Sequence, residues 1–318
     1  MVIKVELCGI CGTDLHLWAH NAVGFWTLKT PCVLGHEASG RVVSVGSAVA
    51  SLRIGDRVTM EPAAYCGKCL DCTAGKNNLC HMNTTETLEP EGFFQNYVIY
   101  PAYLCHRLPD SVSLAEGAIV EPLACALRGV LRARVKAGED VLILGSGPIG
   151  ILAAQACKSY GAHRIVATDI NPARLQLALE AGAADATYLV TREADQATQV
   201  HEIRQLMGRQ PDVTLDCTGM ESCLRLAIDV TRRGGRVGLV GLAGGFVSVP
   251  LTIASMKEID LISSAKYDTT DFRLALKMLE NKVIKASAIV SHTIPLNRFE
   301  EAFDMLATGK GSKILIQC

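Results

Sequence analysis

Four cysteines lie close together in the segment YCGKCLDCTAGKNNLC. Their spacing is C-x2-C-x2-C-x7-C, and they are Cys66, Cys69, Cys72 and Cys80. Thiolates this close in sequence can surround a tetrahedral Zn²⁺ without help from distant parts of the chain. Four protein ligands leave no open position for a substrate, so the spacing predicts a structural zinc site. Free thiols or a disulfide pair are the alternatives.

A second set of metal-binding side chains is spread along the chain. It comprises Cys11 in CGICGTD, the adjacent His36 and Glu37 in VLGHEASG, and Glu121 in VEPL. A thiolate, an imidazole and a carboxylate form a three-ligand set for a catalytic zinc, whose fourth position stays open. Either Glu37 or Glu121 would take the carboxylate position. The glutamate that does not would be an outer or exchangeable ligand. A core thiol at Cys11 and a structural histidine at His36 are the alternatives.

Two further polar residues follow Cys11 in the pattern C-x-T-x-x-H, namely Thr13 and His16. If a helix starts here, positions i and i+3 share one face. The hydroxyl and the imidazole could then carry a proton from a metal-bound alcohol to solvent. A helix N-cap for Thr13 and a surface position for His16 are the alternatives.

A dinucleotide-binding pattern follows the apolar run DVLIL. The run leads into GSGPIG, with Gly145, Gly147 and Gly150 opening a helical segment. Such glycines let backbone amides approach a pyrophosphate at a helix N-terminus, although a plain strand-to-helix turn is the alternative. Asp169 ends the next strand, where a carboxylate binds the adenosine ribose and favours NAD(H) over NADP(H). Arg174 either contacts the adenine or a phosphate, or is a solvated helix residue.

These side chains must be positioned by two regions of different pattern. The first 115 residues consist of short strands between Gly, Ser and Pro turns, which predicts an all-β region with loops. Further on, apolar runs at 140–144, 164–169, 212–219 and 235–241 alternate with helical patterns near 149–160, 173–181, 196–207 and 222–232. This alternation predicts a doubly wound parallel sheet. After residue 267, a helix, a strand, a second helix and the strand KILIQ do not extend that sheet.

Composition excludes several classes of function. The 318 residues carry 31 Lys and Arg against 32 Asp and Glu, a net charge of −1, which gives no general attraction to nucleic acid or to anionic membranes. The uncharged runs 141–157 and 237–256 contain glycines and a proline and are poor membrane spans. An odd number of cysteines and the lack of a secretory signal predict a reducing, cytoplasmic location.

The order of these motifs resembles that of the zinc-dependent medium-chain alcohol dehydrogenases over essentially the whole chain. The Gly-His-Glu form, KTPCVLGHEASG and TGMESCLRLAIDVTRRGGRVGLVGL are similar to the sorbitol, xylitol and related polyol dehydrogenases, with threonine 3-dehydrogenase next. The resemblance implies an α/β fold with two domains. A GroES-like β domain would carry the zincs over 1–118 and be completed by 268–318, and a Rossmann domain would bind NAD over 119–267.

The resemblance also implies roles for individual residues. Catalytic zinc would be held by Cys11, His36 and Glu37, with Glu121 contacting it directly or through water. The implied NAD contacts are Ile149, Asp169, Arg174, Val240, Gly241, Leu242, Lys266 and Tyr267. Sorbitol dehydrogenases typically have arginine at the position of Lys266 and often tyrosine at that of Leu17, and a lysine cannot reproduce a planar guanidinium contact. A cytosolic homotetramer or homodimer is implied.

The predicted function is NAD-dependent, zinc-assisted oxidation of a secondary hydroxyl of a small polyol, such as sorbitol or xylitol, to the ketone. L-threonine or butanediol is the alternative substrate. The alternative of another class is an inactive zinc- and NAD-binding structural or regulatory protein.

The position of Cys11 supports that inactive alternative. Relatives have several strands before the equivalent cysteine, on the order of 30 residues. VIKVEL would be the last of those strands. If Met1 is the true start, the β domain is expected to lack early pairing partners and to expose an unprotected edge near the catalytic zinc. A truncated chain, a misassigned start and a genuine short variant all fit this pattern.

Overall fold

The computed structural model describes residues 1–23, 26–28, 30–82, 91–191, 194–242 and 245–318. The chain forms two compact units. The first is Met1–Ala124 with Tyr267–Cys318, and the second is Cys125–Lys266. The division falls after residue 124 rather than 118, so Glu121 belongs to the same unit as the other expected metal ligands.

The first unit is built around a mixed sheet. Its strands are β1 (Val2–Gly9), β4 (Glu37–Ser44), β5 (Arg57–Met60), β6 (Tyr97–Ile99), β7 (Cys105–Arg107), β14 (Val290–Pro295) and β15 (Lys313–Gln317). They are ordered β14-β15-β1-β4-β5-β7, with β6 also paired to β1. A small hairpin is formed by β2 (Ala22–Val23) and β3 (Trp26–Thr27). The last two strands of the chain therefore belong to the first sheet, as the family resemblance implied.

Strand β1 is hydrogen-bonded along its length. It pairs with β4, while Val2–Lys4 pair with β6 and Leu7–Gly9 pair with β15. Near Cys11, β1 is therefore not an unpaired edge, because the last strand of the chain supplies a partner there. Sequence patterns did not show this pairing, since the two strands lie at opposite ends of the chain.

Helices in the first unit are α1 (Gly12–His20), α2 (Leu70–Thr73), α3 (Leu114–Ala118), α10 (Thr269–Glu280) and α11 (Phe299–Ala307). The all-β expectation for the first 115 residues thus missed α1, which has nine residues. Helix α11 packs on the strands through Phe303, in a cluster with Ile10, Ile294, Ile314 and Ile316. A second cluster includes Ile3, Val58 and Phe93.

The second unit is a parallel sheet covered by helices. Its strands are β8 (Asp140–Leu144), β9 (Arg164–Asp169), β10 (Ala186–Leu189), β11 (Val213–Asp216), β12 (Arg236–Leu239) and β13 (Asp260–Ser263), ordered β10-β9-β8-β11-β12-β13. Every pairing between them is parallel. The strand order reverses direction between β8 and β11, which is the switch point of a doubly wound sheet. The expected α/β fold class is confirmed.

The helices of this region agree closely with the sequence patterns. They are α5 (Pro148–Ser159), α6 (Pro172–Glu180), α7 (Gln196–Met207), α8 (Glu221–Val230) and α9 (Leu251–Met256), while α4 (Val120–Arg132) contains the division between the units. Gly161 and Gly182 have φ of +82° and +64° just past α5 and α6, as expected of helix ends. Among the described helices, none is long and apolar enough to cross a membrane.

Two strands of the second sheet were not predicted. The inner strand β8 is buried at all five positions, and its apolar run made it recognisable. The edge strands β10 and β13 are mostly half-buried or exposed and have only four residues each. Short strands with one free edge carry too weak a hydrophobic pattern to be distinguished from loops.

We expect the last strand to contribute strongly to the stability of the first unit. Replacing the fully buried Ile316 by alanine should lower the free energy of unfolding by about 2–5 kcal/mol, because it removes buried methyl groups and leaves a cavity. The adjacent Gln317 is exposed, so Gln317→Ala should change it by no more than about 0.5 kcal/mol. Urea unfolding of both variants tests this, and equal losses would contradict the packing described.

Candidate metal centres and dinucleotide site

One buried carboxylate brings the loops of two expected metal ligands together. Asp14, which is 1% exposed, accepts the backbone N–H of Cys11 at Oδ2 (2.9 Å). Its Oδ1 accepts the backbone N–H of Gly35 (3.0 Å) and lies 3.2 Å from Nδ1 of His36. Sequence reasoning missed Asp14, although the capping-box spacing from Cys11, the residue before α1, could have identified it.

The ligand atoms of Cys11, His36 and Glu37 lie within 4.8 Å of one another. Because Nδ1 of His36 contacts Asp14, Nε2 is the nitrogen left for a metal, as in carboxylate–histidine–zinc arrangements. Burial acts to lower the pKa of His36, but Asp14 and Cys11 outweigh it and raise this pKa well above its usual value. Thiolate, imidazole and carboxylate donors fit Zn²⁺ with a fourth position open.

Glu37 has a buried partner that sequence reasoning did not find. Lys313 Nζ donates to both carboxylate oxygens of Glu37, at 2.7 and 2.6 Å, and to the carbonyl of Ile10 at 3.1 Å. Both side chains are nearly inaccessible to solvent. The two residues are 276 positions apart, and the lysine in KILIQ looked like an ordinary strand residue. No local signal could have identified this pair.

Glu121 lies in the first turn of α4 and is 9% exposed. Burial acts to lower the pKa of Lys313, but Glu37, Cys11 and Glu121 together raise it above the usual value. The ammonium therefore lies within the field of all three acidic groups expected near the metal. Glu37 is the carboxylate clustered with Cys11 and His36, whereas Glu121 is outside that cluster.

Thr13 and His16 both lie on α1, so the helix that the proposed relay requires is present. Thr13 is half-buried and His16 is exposed, with its ring 6.1 Å from that of His20. Cys11 is the N-cap of this helix, so the N-cap alternative for Thr13 is wrong. The proton relay stays a prediction.

The cysteine-rich loop forms a second candidate metal centre. The sulfur atoms of Cys66, Cys69, Cys72 and Cys80 all lie within 4.8 Å of one another, with 4.0 Å between those of Cys66 and Cys72. Tetrahedral Zn–S bonds of about 2.3 Å would separate the sulfurs by about 3.8 Å. Backbone N–H groups of Lys68 and Cys69 lower the pKa of the Cys66 thiol to about 6. None of the four forms a disulfide, so that alternative is wrong.

This loop is joined to the start of α10 by a polar network. Asn77 Nδ2 donates to Thr269 Oγ1 (3.1 Å), and the Thr269 N–H donates to Asn77 Oδ1 (3.1 Å). Thr269 Oγ1 also donates to the buried Glu61 (3.0 Å), whose other oxygen is 2.6 Å from Nε2 of His106. The loop therefore helps to position the chain that follows Tyr267.

The glycine-rich loop of the second unit follows β8. Gly145 has φ of +93°, and a Cβ on Gly150 would lie 1.8 Å from the Gly145 carbonyl oxygen. Gly147 is the N-cap of α5, and a Cβ there would have no atom within 4 Å. Asp169 Oδ2 accepts the N–H of Ser146 (2.8 Å), which ties the loop to the end of β9. These are the features that a pyrophosphate at a helix N-terminus requires.

Five more of the expected cofactor residues lie in the second unit and differ in burial. Arg174 is half-buried with Nη1 3.9 Å from Asp169 Oδ2, and its contact with the cofactor stays a prediction. Val240 and Gly241 follow β12 and donate to the carbonyl of Asp216 at 2.9 and 2.8 Å. Ile149 in α5 is half-buried, and Leu242 is 70% exposed.

The two remaining expected cofactor residues adjoin the division between the units. Lys266 ends the second unit with φ of +52°. Tyr267 begins the returning segment of the first unit, where it is 8% exposed and its ring lies 5.5 Å from that of Phe272.

Comparison with known proteins agrees with this arrangement. A family model described as an alcohol dehydrogenase GroES-like domain matches residues 1–110, and one described as a zinc-binding dehydrogenase matches residues 148–281. The chain is 39% identical over 317 residues to a sorbitol dehydrogenase of Bombyx mori, covering 99% of this chain and 90% of that protein. It is 38% identical over 319 residues to a probable D-xylulose reductase A of Emericella nidulans, covering 99% and 88%.

A solved structure is also similar over the full length. An alcohol dehydrogenase from Escherichia coli CFT073, in complex with NADH, has a TM-score of 0.89 and 26% identity, covering 100% of this chain and 91% of that one. The chain belongs to the zinc-dependent medium-chain alcohol dehydrogenases, with a GroES-like domain and a Rossmann domain. Within that family its relatives include the polyol dehydrogenases, so the resemblance noted in the sequence is confirmed.

The Lys313–Glu37 pair predicts a stability effect that depends on metal. In metal-free protein, Lys313→Met should lower the free energy of unfolding by about 3–5 kcal/mol, because it leaves a buried carboxylate without its cation. Zinc should reduce this loss, since the metal can offset the same charge. Lys310→Met removes an exposed ammonium and serves as the control. Urea unfolding with and without zinc tests this. If zinc does not change the loss of unfolding free energy, the metal and Lys313 do not act on the same carboxylate, Glu37.

The glycines of the loop should separate folding from cofactor binding. Gly150→Ala should lower the melting temperature, because its Cβ would overlap the Gly145 carbonyl. Gly147→Ala should leave the melting temperature unchanged but weaken NADH binding, because its methyl group would occupy space that a pyrophosphate needs. Calorimetric NADH titration and thermal unfolding of both variants distinguish the two effects. Normal NADH affinity in Gly147→Ala would refute the assigned pyrophosphate position.

Proposed function

We propose that this protein catalyses the NAD-dependent, zinc-assisted oxidation of a secondary hydroxyl of a small polyol, such as sorbitol or xylitol, to a ketone. The observation that carries the proposal is the cluster of Cys11, His36 and Glu37, on a chain whose second unit carries the Gly145–Gly150 loop and Asp169. The similarity to a sorbitol dehydrogenase and to a D-xylulose reductase supports the substrate class.

In this proposal the first unit holds the reacting hydroxyl. A zinc held by Cys11, His36 and Glu37 would supply Lewis-acid polarisation of that hydroxyl, and bound NAD would accept the hydride. Asp14 orients the imidazole of His36 through Nδ1. Lys313 holds the carboxylate of Glu37, which leaves Glu121 as the exchangeable acid or an outer partner.

The proton of the hydroxyl leaves through α1. Thr13 is half-buried, and His16 is three residues further along the same helix and exposed to solvent. A half-buried hydroxyl followed by an exposed imidazole is an arrangement that can pass a proton outward. We therefore assign Thr13 to the inner step and His16 to the outer step.

The choice of NAD over NADP follows from Asp169. Its carboxylate accepts the N–H groups of Ser146 and Asn171 and is 8% exposed, so it is fixed at the end of β9. A 2′-phosphate placed there would be repelled by this charge, whereas ribose hydroxyls can donate to it. Arg174, beside Asp169, would contact the adenine or a phosphate.

A second zinc would have a structural role. Cys66, Cys69, Cys72 and Cys80 would hold it with no open position, and the Asn77–Thr269 contacts would pass that rigidity to the start of α10. We also propose a cytoplasmic location and a homodimer or homotetramer, both of which the family resemblance implies. Light scattering on purified protein measures the assembly.

Two alternatives lie close to this proposal. Lys266 and Leu17 differ from the residues typical of sorbitol dehydrogenases. L-threonine and butanediol are therefore the alternative substrates. An inactive zinc- and NAD-binding protein would contain the metals without turnover.

Substrate oxidation by zinc-loaded protein tests the function directly. We expect NADH formation with sorbitol or xylitol at a higher kcat/KM than with L-threonine or 2,3-butanediol, and two zinc ions per chain. Cys11→Ser should abolish turnover with the fold intact, whereas Cys66→Ser should mainly lower stability. Cys32→Ser, outside both clusters, is the control. Full metal content without turnover of any of the four substrates would favour the inactive alternative.

A further inference from the structure

A cavity in the second unit has no place in the proposed oxidation. Its volume is about 490 Å³, and it is lined by Arg204, Gln210, Asp229, Arg232, Arg233 and Lys257. These residues precede β11, β12 and β13 or lie near the ends of α7 and α8. The cavity is therefore at the amino edge of the parallel sheet. The Gly145 loop and Asp169 follow the carboxyl ends of β8 and β9, at the opposite edge.

The lining has an excess of positive charge. It contains four cationic side chains and one carboxylate, Asp229. Arg232 is neutralised by Asp212, with 2.6 Å between Nε and Oδ1. Within the described ranges, Arg204, Arg233 and Lys257 form no ion pair with a carboxylate. Asp229 is engaged through its carboxylate by Gln196.

Helix ends account for part of this cluster. Lys257 Nζ donates to the carbonyls of Ile228 (2.7 Å) and Asp229 (3.0 Å), and Arg204 Nη2 donates to the Asp229 carbonyl (2.8 Å). These carbonyls end α8, where the helix dipole attracts cations. Arg233 Nη1 donates in the same way to Met256 at the end of α9 (3.2 Å). Capping thus explains why cations gather here.

The helix-end carbonyls do not accept from all the N–H groups of these cationic side chains. A guanidinium has several N–H groups, and Arg204 and Arg233 each engage one helix-end carbonyl. Nε of Arg204 is buried and has no acceptor within the described part of the chain. A buried donor without an acceptor costs free energy. Burial first, and then Arg204, lower the pKa of Lys257; Asp229 raises it and Arg233 lowers it further, and the net shift is downward. The cations therefore oppose one another despite the nearby carboxylate.

An anion in the cavity would offset the repulsion among these cations and could accept from the guanidinium N–H groups that capping leaves over. Arginine forks recognise phosphate oxygens through paired hydrogen bonds, and a lysine adds a point charge. The volume exceeds that of one phosphate group and falls in the range of small-molecule sites. We propose that this cavity binds a multiply charged small molecule that carries phosphate, with Arg204, Arg233 and Lys257 as its cationic contacts. The site lies at the edge of the sheet opposite the dinucleotide loop.

Calorimetry on the full, zinc-loaded chain tests the proposal. The probes are inorganic pyrophosphate and phosphoenolpyruvate, an organic phosphate, with NADH present at saturation. We expect saturable binding at one site per chain. Arg204→Gln and, separately, the exposed Arg233→Gln should weaken it by about tenfold or more, because each loses charge-assisted hydrogen bonds. Arg225→Gln removes the same charge from α8 outside the cavity and should have little effect.

The two probes distinguish the source of the phosphate. Equal affinities would indicate that the phosphate group alone is recognised, and tighter binding of phosphoenolpyruvate would indicate an organic phosphate; both outcomes support the site. No saturable binding, or equal weakening by Arg225→Gln, would overturn it. Binding lost in Gly147→Ala but retained in Arg204→Gln and Arg233→Gln would also overturn it, because the probe would then occupy the dinucleotide loop. Turnover measurements are independent of these outcomes.

Discussion

A buried ion pair constrains how the first unit can be built. Burying two charges is tolerated only when they are close and their remaining hydrogen-bonding groups are satisfied. Lys313 meets that condition with Glu37 and the carbonyl of Ile10. Glu37 begins β4 and Lys313 begins β15, and both strands pair with β1. Neutralising this charge therefore requires the last strand to lie beside the first, and that sheet order places Glu37 next to Cys11.

Asp14 performs the corresponding task for the other two members of the same cluster, Cys11 and His36. Its carboxylate receives backbone groups from Cys11 and Gly35 and contacts the ring of His36. Three contacts to one buried carboxylate fix two loops and one imidazole together. The proposed metal ligands are thus positioned by two buried acids: Glu37, held by an ammonium, and Asp14, held by N–H groups.

In the second unit, the two edges of the parallel sheet carry different polar groups. In a doubly wound sheet, helix N-termini lie at the carboxyl edge of the strands and helix C-termini at the amino edge. The carboxylates of Asp169 and Asp216 accept backbone N–H groups at the first edge. Arg204 and Lys257 donate to helix-end carbonyls at the other. A single parallel sheet therefore provides one edge suited to a dinucleotide and another rich in cations.

Local spacing was enough to predict the cysteine loop, the Gly145–Gly150 turn with Asp169, and the spans of α5 to α8, because neighbouring residues and short-range periodicity determine such features. The edge strands β10 and β13 lacked that signal. The sequence alone did not pair Lys313 with Glu37 or place Arg204 beside Lys257. Nothing in the neighbouring residues shows whether a lysine or an arginine is solvated or buried. These contacts are determined by the tertiary structure. Folding removes charges that are distant in the sequence from water, and a buried charge is tolerated only when it has a partner.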